Sequence, residues 1–158
     1  MKYLALPLAL MITGSAVAAD NVITKRIEVT ALVPTAVFSI LDEHGWMNET
    51  QKMGLGSDGN LESIRGKRMI VKSTTGAISA RLGNEAVLTS RGDRIPLTIT
   101  ANGVDLDTTS KEVVTAADAA KPFYMNMDIT PATGPYAPGS YMAFVDVTFE
   151  TPLGTVNP

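Results

Sequence analysis

Ile23-Thr24-Lys25-Arg26-Ile27-Glu28-Val29-Thr30-Ala31-Leu32-Val33, closed by Pro34, is the stretch on which the reading of the fold turns. Ile23, Ile27, Val29, Ala31 and Val33 share one parity, and Thr24, Arg26, Glu28 and Thr30 share the other. Side chains of an extended chain alternate faces, so this spacing predicts a strand with one apolar and one polar face. Lys25 interrupts the apolar face and Leu32 the polar one. An exposed, two-faced strand is a template for pairing. The expectation is that it leaves its own domain and completes the sheet of a neighbour.

What precedes this strand reads as an export signal. Lys2 gives a positive start, residues 3–12 an apolar run of about ten residues, and Gly14-Ser15-Ala16-Val17-Ala18-Ala19 a small-residue exit. The run is too short to span a bilayer comfortably. Cleavage is expected after Ala18 or after Ala19. The expected division is a signal peptide at 1–19, an N-terminal extension at 20–34 and one domain at 35–158, since 158 residues leave room for one. The mature protein is expected to be exported and soluble.

Lys and Arg number 13 against 16 Asp and Glu, and removal of Lys2 takes the mature charge to about −4. No basic cluster is present, so nucleic acid is not an expected partner. The chain has no cysteine. An exported domain of this size without a disulfide holds itself by burial or borrows stability from a partner.

Beyond Pro34, strand-like runs recur at short intervals. Ala36-Val37-Phe38-Ser39-Ile40-Leu41 ends at Asp42-Glu43-His44-Gly45, and residues 46–60 lose all periodicity and read as a long connection. Arg68-Met69-Ile70-Val71-Lys72-Ser73, Ala77-Ile78-Ser79-Ala80-Arg81-Leu82 and Ala86-Val87-Leu88-Thr89 follow, separated by turns. In Ile95-Pro96-Leu97-Thr98-Ile99-Thr100-Ala101, Pro96 cannot donate to a ladder, which predicts a strand edge or a strand beginning. Asn102-Gly103 predicts a two-residue hairpin turn. Residues 113–120 are Ala-rich and suit a single helical turn, and Phe123, Met125, Met127 and Ile129 alternate with polar residues. Residues 141–150 predict one last strand, with Ala143, Val145, Val147 and Phe149 on one face and Asp146, Thr148 and Glu150 on the other. Residues 151–158, with two prolines and a glycine, are expected to fray. About eight short strands with turn signals between them and almost no helical period predict an all-β sandwich.

Few residues ask for chemistry. Gly54-Leu55-Gly56-Ser57-Asp58-Gly59 matches G-x-G-x-x-G, but the dinucleotide fingerprint needs a strand before it and a helix after it, so a loop is expected. The lone histidine, His44, sits beside Asp42 and Glu43, and adjacent residues of an extended chain face opposite ways, so a solvated turn is expected rather than a metal site. No nucleophile elbow accompanies it. Arg91-Gly92-Asp93 spells an integrin-binding tripeptide where a polar turn is already due, and chance accounts for it. Asn48-Glu49-Thr50 fits a glycosylation acceptor. The eight methionines read as core filling or as part of the signal. No catalytic residue, cofactor or metal is expected.

Lys25-Arg26-Ile27-Glu28-Val29-Thr30-Ala31-Leu32-Val33-Pro34 resembles the mature N-terminus of the alpha-type (class 5) chaperone–usher pilins, the colonisation factor antigen type. Those begin with an alternating Ile-x-Val-Thr-Ala-x-Val strand that ends near a proline. Ile95-Pro96-Leu97-Thr98-Ile99-Thr100 with the downstream Leu106-Asp107-Thr108-Thr109-Ser110-Lys111-Glu112 is similar too, as is Pro138-Gly139-Ser140-Tyr141 opening a final alternating strand. The resemblance implies an incomplete immunoglobulin-like β-sandwich that lacks its last strand, with an N-terminal donor strand. It implies a major shaft subunit of a surface fimbria serving cell adhesion, whose partners are identical subunits head-to-tail, a periplasmic chaperone, an outer-membrane usher and a tip adhesin. Carried over, the donor is Ile23, Ile27, Val29, Ala31 and Val33, and the acceptor groove is lined by Val145, Val147 and Phe149. Four or five such side chains at about 1.5–3 kcal/mol each come to about a dozen kcal/mol, comparable to the stability of a small domain. The competing expectations are an exported, self-contained β-sandwich that binds carbohydrate or protein, and a secreted hydrolase. The first folds the same strand onto itself, and its aromatic supply is one tryptophan and four tyrosines. The second has no visible acid–base pair.

Overall fold

The computed structural model describes residues 25–26, 28–30 and 37–153. The chain divides into two units, Met1–Val33 and Pro34–Pro158. In the first, Lys25, Arg26, Glu28, Val29 and Thr30 are exposed.

The second unit is an antiparallel β-sandwich. Among the described residues, nine strands run in order: β1 (Phe38–Asp42), β2 (Ile64–Ser73), β3 (Ile78–Leu82), β4 (Val87–Ser90), β5 (Asp93–Ala101), β6 (Val104–Leu106), β7 (Lys111–Val114), β8 (Phe123–Pro131) and β9 (Val147–Glu150). One sheet has the order β1-β2-β8-β5-β4, with β6 also on β5, and the other has the order β7-β3-β9. Period-two alternation sends Met69 and Val71 of β2, Ile99 and Ala101 of β5, and Met125 and Met127 of β8 inward from the first sheet. Ile78 and Ala80 of β3 and Val113 and Val114 of β7 meet them from the second. Full burial of such side chains contributes about 1.5–3 kcal/mol each.

Local chemistry sets the corners. Arg91 and Gly92 have φ of 46° and 104°, and Asn102 and Gly103 have 50° and 80°. Positive φ at both central residues matches the twist of the flanking strands, and these pairs close the β4–β5 and β5–β6 hairpins. Asn102 adds a bond from Nδ2 to the Val113 carbonyl at 2.7 Å. Residues 74–77 carry the chain from one sheet to the other, so β2 and β3 do not pair. Thr115 caps a single helical turn, α1 (Ala116–Ala119). The Ala-rich stretch holds that turn but begins as strand, since Val113 and Val114 lie in β7.

Several expectations are corrected. Residues 141–150 do not form one strand. Met142 bridges Thr89 of β4, with bonds of 3.0 and 3.1 Å, and only residues 147–150 join β3. Alternating burial persists along all ten residues, so the stretch is extended throughout but changes sheets midway. Pro96 is the fourth residue of β5, an interior strand. Its carbonyl accepts from the Ala132 N–H at 2.9 Å, and without an N–H it cannot return the bond. The β5–β8 ladder ends there. Residues 46–60 are not a bare connection. A 3-10 segment (Glu43–Asn48) turns through His44 and Gly45, both at positive φ, and buries Trp46, whose Nε1 donates to the Arg68 carbonyl at 3.0 Å. The glycine-rich stretch behind it folds back as a closed loop, with Leu55 bridged to Leu61. Residues 151 and 152 do not fray. Thr151 Oγ1 lies 2.7 Å from Ser73 Oγ, and a side chain on Gly76 would meet Pro152 at 3.1 Å.

Candidate subunit interface

A strand with one unpaired backbone edge exposes a row of unsatisfied N–H and C=O groups. Among the described residues, β9 is such a strand. β3 occupies one side, in the register Ser79–Glu150, Ala80–Phe149, Arg81–Thr148 and Leu82–Val147, and nothing pairs with the other. β1 is the corresponding edge of the larger sheet, and no ladder joins it to β9. The two edges start from a common corner. Phe38 of β1 stands opposite Ser73, and the Ser73 hydroxyl holds Thr151 at the end of β9.

Side chains at this corner are covered only in part. Val145, Val147 and Phe149 pack against the core cluster yet remain half-buried, and so does Ile40 of β1. Fully buried core residues such as Met69, Val71 and Ile78 lie behind them at 0% exposure. The arrangement combines a free hydrogen-bonding edge with a strip of apolar side chains open to one more layer, the two requirements for strand addition.

The residues expected to line an acceptor groove are thus gathered on one parity of one stretch. Of the expected donor residues, Val29 is 85% exposed and in no strand. Ile23, Ile27, Ala31 and Val33 lie outside the described residues, as do Ala18 and Ala19. Ile40 was not anticipated as part of this corner. Its place in an alternating run is legible, but its neighbour is chosen by a sheet pairing more than thirty residues away in sequence, Ile40 with Val71.

Other candidates gain little. His44 is exposed, and no group of His, Asp and Glu among the described residues is arranged to hold a metal ion. A shallow cleft lies between the start of β5 and residues 132–141, lined by Asp93, Arg94, Pro96, Tyr136 and Tyr141. Both tyrosine hydroxyls donate to backbone carbonyls, Tyr136 to Ala132 at 2.7 Å and Tyr141 to Ala137 at 2.8 Å. Desolvation, and then the Asp93 charge, push the Tyr141 phenol up.

The sequence model of the CS1 type fimbrial major subunit family matches residues 23–150. No curated protein matches the chain. Among solved structures, the CooA pilin subunit from enterotoxigenic Escherichia coli is similar, with a TM-score of 0.51 at 15% identity over 62% of this chain and 75% of that one. At that identity the likeness speaks for the fold alone.

Proposed function

The chain belongs to the CS1 type fimbrial major subunit family, and from that membership we propose that it assembles by giving its N-terminal strand to the open corner of the next copy. As a fimbrial major subunit it is a structural component of a surface fimbria and not an enzyme. The proposal concerns the link. Residues 20–34 act as an extension separate from the 35–158 domain. Ile23, Ile27, Val29, Ala31 and Val33 of one subunit insert against Val145, Val147 and Phe149 of its neighbour. A periplasmic chaperone covers the same corner before an outer-membrane usher exchanges it for the next strand, and a tip adhesin ends the shaft. The fimbria serves cell adhesion.

One observation carries the reading: among the described residues, the edge of β9 is unpaired, with half-buried Val145, Val147 and Phe149 beneath it. An added strand satisfies that edge at about 0.5–1.5 kcal/mol per backbone bond, besides the apolar burial. A head-to-tail contact of this kind is heterologous and builds open filaments.

The test moves residues 21–34 to the C-terminus behind a short flexible linker and compares the permutant with the unpermuted mature protein. The expected permutant is monomeric and melts tens of degrees higher on the scale of several kcal/mol added to a domain of this size, while the unpermuted form polymerises. A stable unpermuted monomer whose melting point falls on permutation would mean that the strand belongs to its own domain.

A further inference from the structure

The apolar strip beneath the edge of β9 runs into a polar stop. Val145, Val147 and Phe149 share one parity, and the next residue on that parity is Thr151, also half-buried. Thr151 Oγ1 lies 2.7 Å from Ser73 Oγ and 3.2 Å from Thr75 Oγ1, and Ser73 Oγ lies 3.2 Å from Thr75 Oγ1. The three hydroxyls close a triangle where β2 ends and the chain crosses towards β3. Ser73 is 1% exposed, the one buried polar residue among those described. A hydroxyl brings one proton and two lone pairs. The triangle uses all three protons, and the Thr75 N–H also donates to Ser73 Oγ at 3.2 Å. Two lone pairs are left over, and no proton. A strand laid across this point shuts out water, so the side chain it sets there has to donate. An apolar one leaves buried acceptors unpaired.

The N-terminal stretch has one residue that fits. Along Ile23, Lys25, Ile27, Val29, Ala31 and Val33, Lys25 alone is polar. Along Val145, Val147, Phe149, Thr151 and Leu153, Thr151 alone is polar. Side chains directly opposite on antiparallel strands have Cβ atoms about 4.5–5.5 Å apart. Setting Lys25 against Thr151 in that direction puts Ile27 against Phe149, Val29 against Val147 and Ala31 against Val145. Ile23 then meets Leu153, which is 96% exposed. A shift of two residues moves Lys25 onto Phe149 or Leu153. In the parallel direction, Lys25 on Thr151 carries residues 27–33 past the end of the strip and leaves Val145, Val147 and Phe149 bare.

We propose that the Ser73, Thr75 and Thr151 hydroxyls form a register stop that receives the Lys25 ammonium of the next copy, with the donated strand antiparallel to β9. The inference rests on the donor reading above, to which it adds the register and the residues that set it. An ammonium offers three donors on a flexible stem, enough for both leftover lone pairs. Lys25 is exposed in its own chain.

The chain has no cysteine, so introduced pairs report the register without background. In the mature protein Val29→Cys is combined in turn with Val145→Cys, Val147→Cys and Phe149→Cys. Each variant is polymerised and oxidised, and boiled non-reducing gels read the covalent ladder. A disulfide needs Cα atoms about 4.4–6.8 Å apart, so the ladder is expected with Val147→Cys and about tenfold weaker with the other two. Lys25 lies in the Met1–Val33 unit, so adding Lys25→Leu leaves the β-sandwich intact. It is expected to cut the Val29–Val147 ladder several-fold and to bring up a shifted one. A ladder strongest at position 145 or 149 without Lys25→Leu, or a polymer that none of the pairs cross-links, overturns the register. Ladders unchanged by Lys25→Leu overturn the hydroxyl stop. A mature protein that stays monomeric, with or without the cysteines, overturns the donor reading and the stop with it.

Discussion

Asp107 shows how single residues on the surface tune this domain. The Thr109 hydroxyl, then the Lys111 ammonium at 2.9 Å, hold its carboxyl down at about 2 from an ordinary value of 3.8. A depressed folded pKa stabilises the fold above the unfolded value, and the contribution fades as pH falls from about 4 towards 2. Asp107→Asn is therefore expected to melt below wild type at neutral pH and to converge with it near pH 2. Melting curves followed by circular dichroism across that range decide the matter, and a constant offset would refute it. At this scale the sequence was legible where a residue's own backbone needs fix the answer. Asn102-Gly103 and Arg91-Gly92 are turns because positive φ is needed there. Trp46 was not legible. It lies in a stretch without periodicity, and its burial depends on the Arg68 carbonyl, twenty-two residues on.

Among the elements, the closing stretch of the chain teaches most. Its alternation announces extended backbone with Val145, Val147 and Phe149 on the core side, and the structure agrees. Alternation cannot say which strand lies alongside, because pairing is decided by distant partners. Residues 141–150 therefore looked like one strand and instead pass from β4 to β3. The break at Pro96 has the same origin: proline's missing donor was plain, but its meaning depends on Ala132 arriving opposite. The half-burial of Phe149 yields a prediction. Phe149→Ala is expected to cost about 1–3 kcal/mol in the unpermuted domain, less than truncation of a fully buried aromatic. The loss should be larger in the permuted form, where the added strand covers the ring. Urea unfolding of both forms measures it, and equal losses would show that no strand covers that position.

For the whole molecule, the all-β class was readable from strand spacing, and the sandwich follows from it. The division of strands into six and three was not, since two turns that look alike in sequence behave differently. Arg91-Gly92 closes a hairpin, and Thr74-Thr75-Gly76 sends the chain across to the opposite sheet. The expected trade between copies also makes a prediction that needs no engineered chain. A synthetic peptide of residues 21–34, added in excess to the mature protein, should raise its melting point and suppress its polymerisation. At a hundred times its dissociation constant the gain is about 2.7 kcal/mol. A scrambled peptide with the same effect would sink the idea.

The unpaired side of β9 has a consequence for polymer chemistry. If each copy offers one open edge and one spare strand, a row of any length uses every edge but one and every strand but one. The two remaining sit at opposite ends, so growth has a direction and never exhausts itself. Such a chain behaves as a living polymer. Its length is set by how often an end is capped against how often a subunit arrives, and a capping partner needs only half of the pair: an edge without a strand, or a strand without an edge.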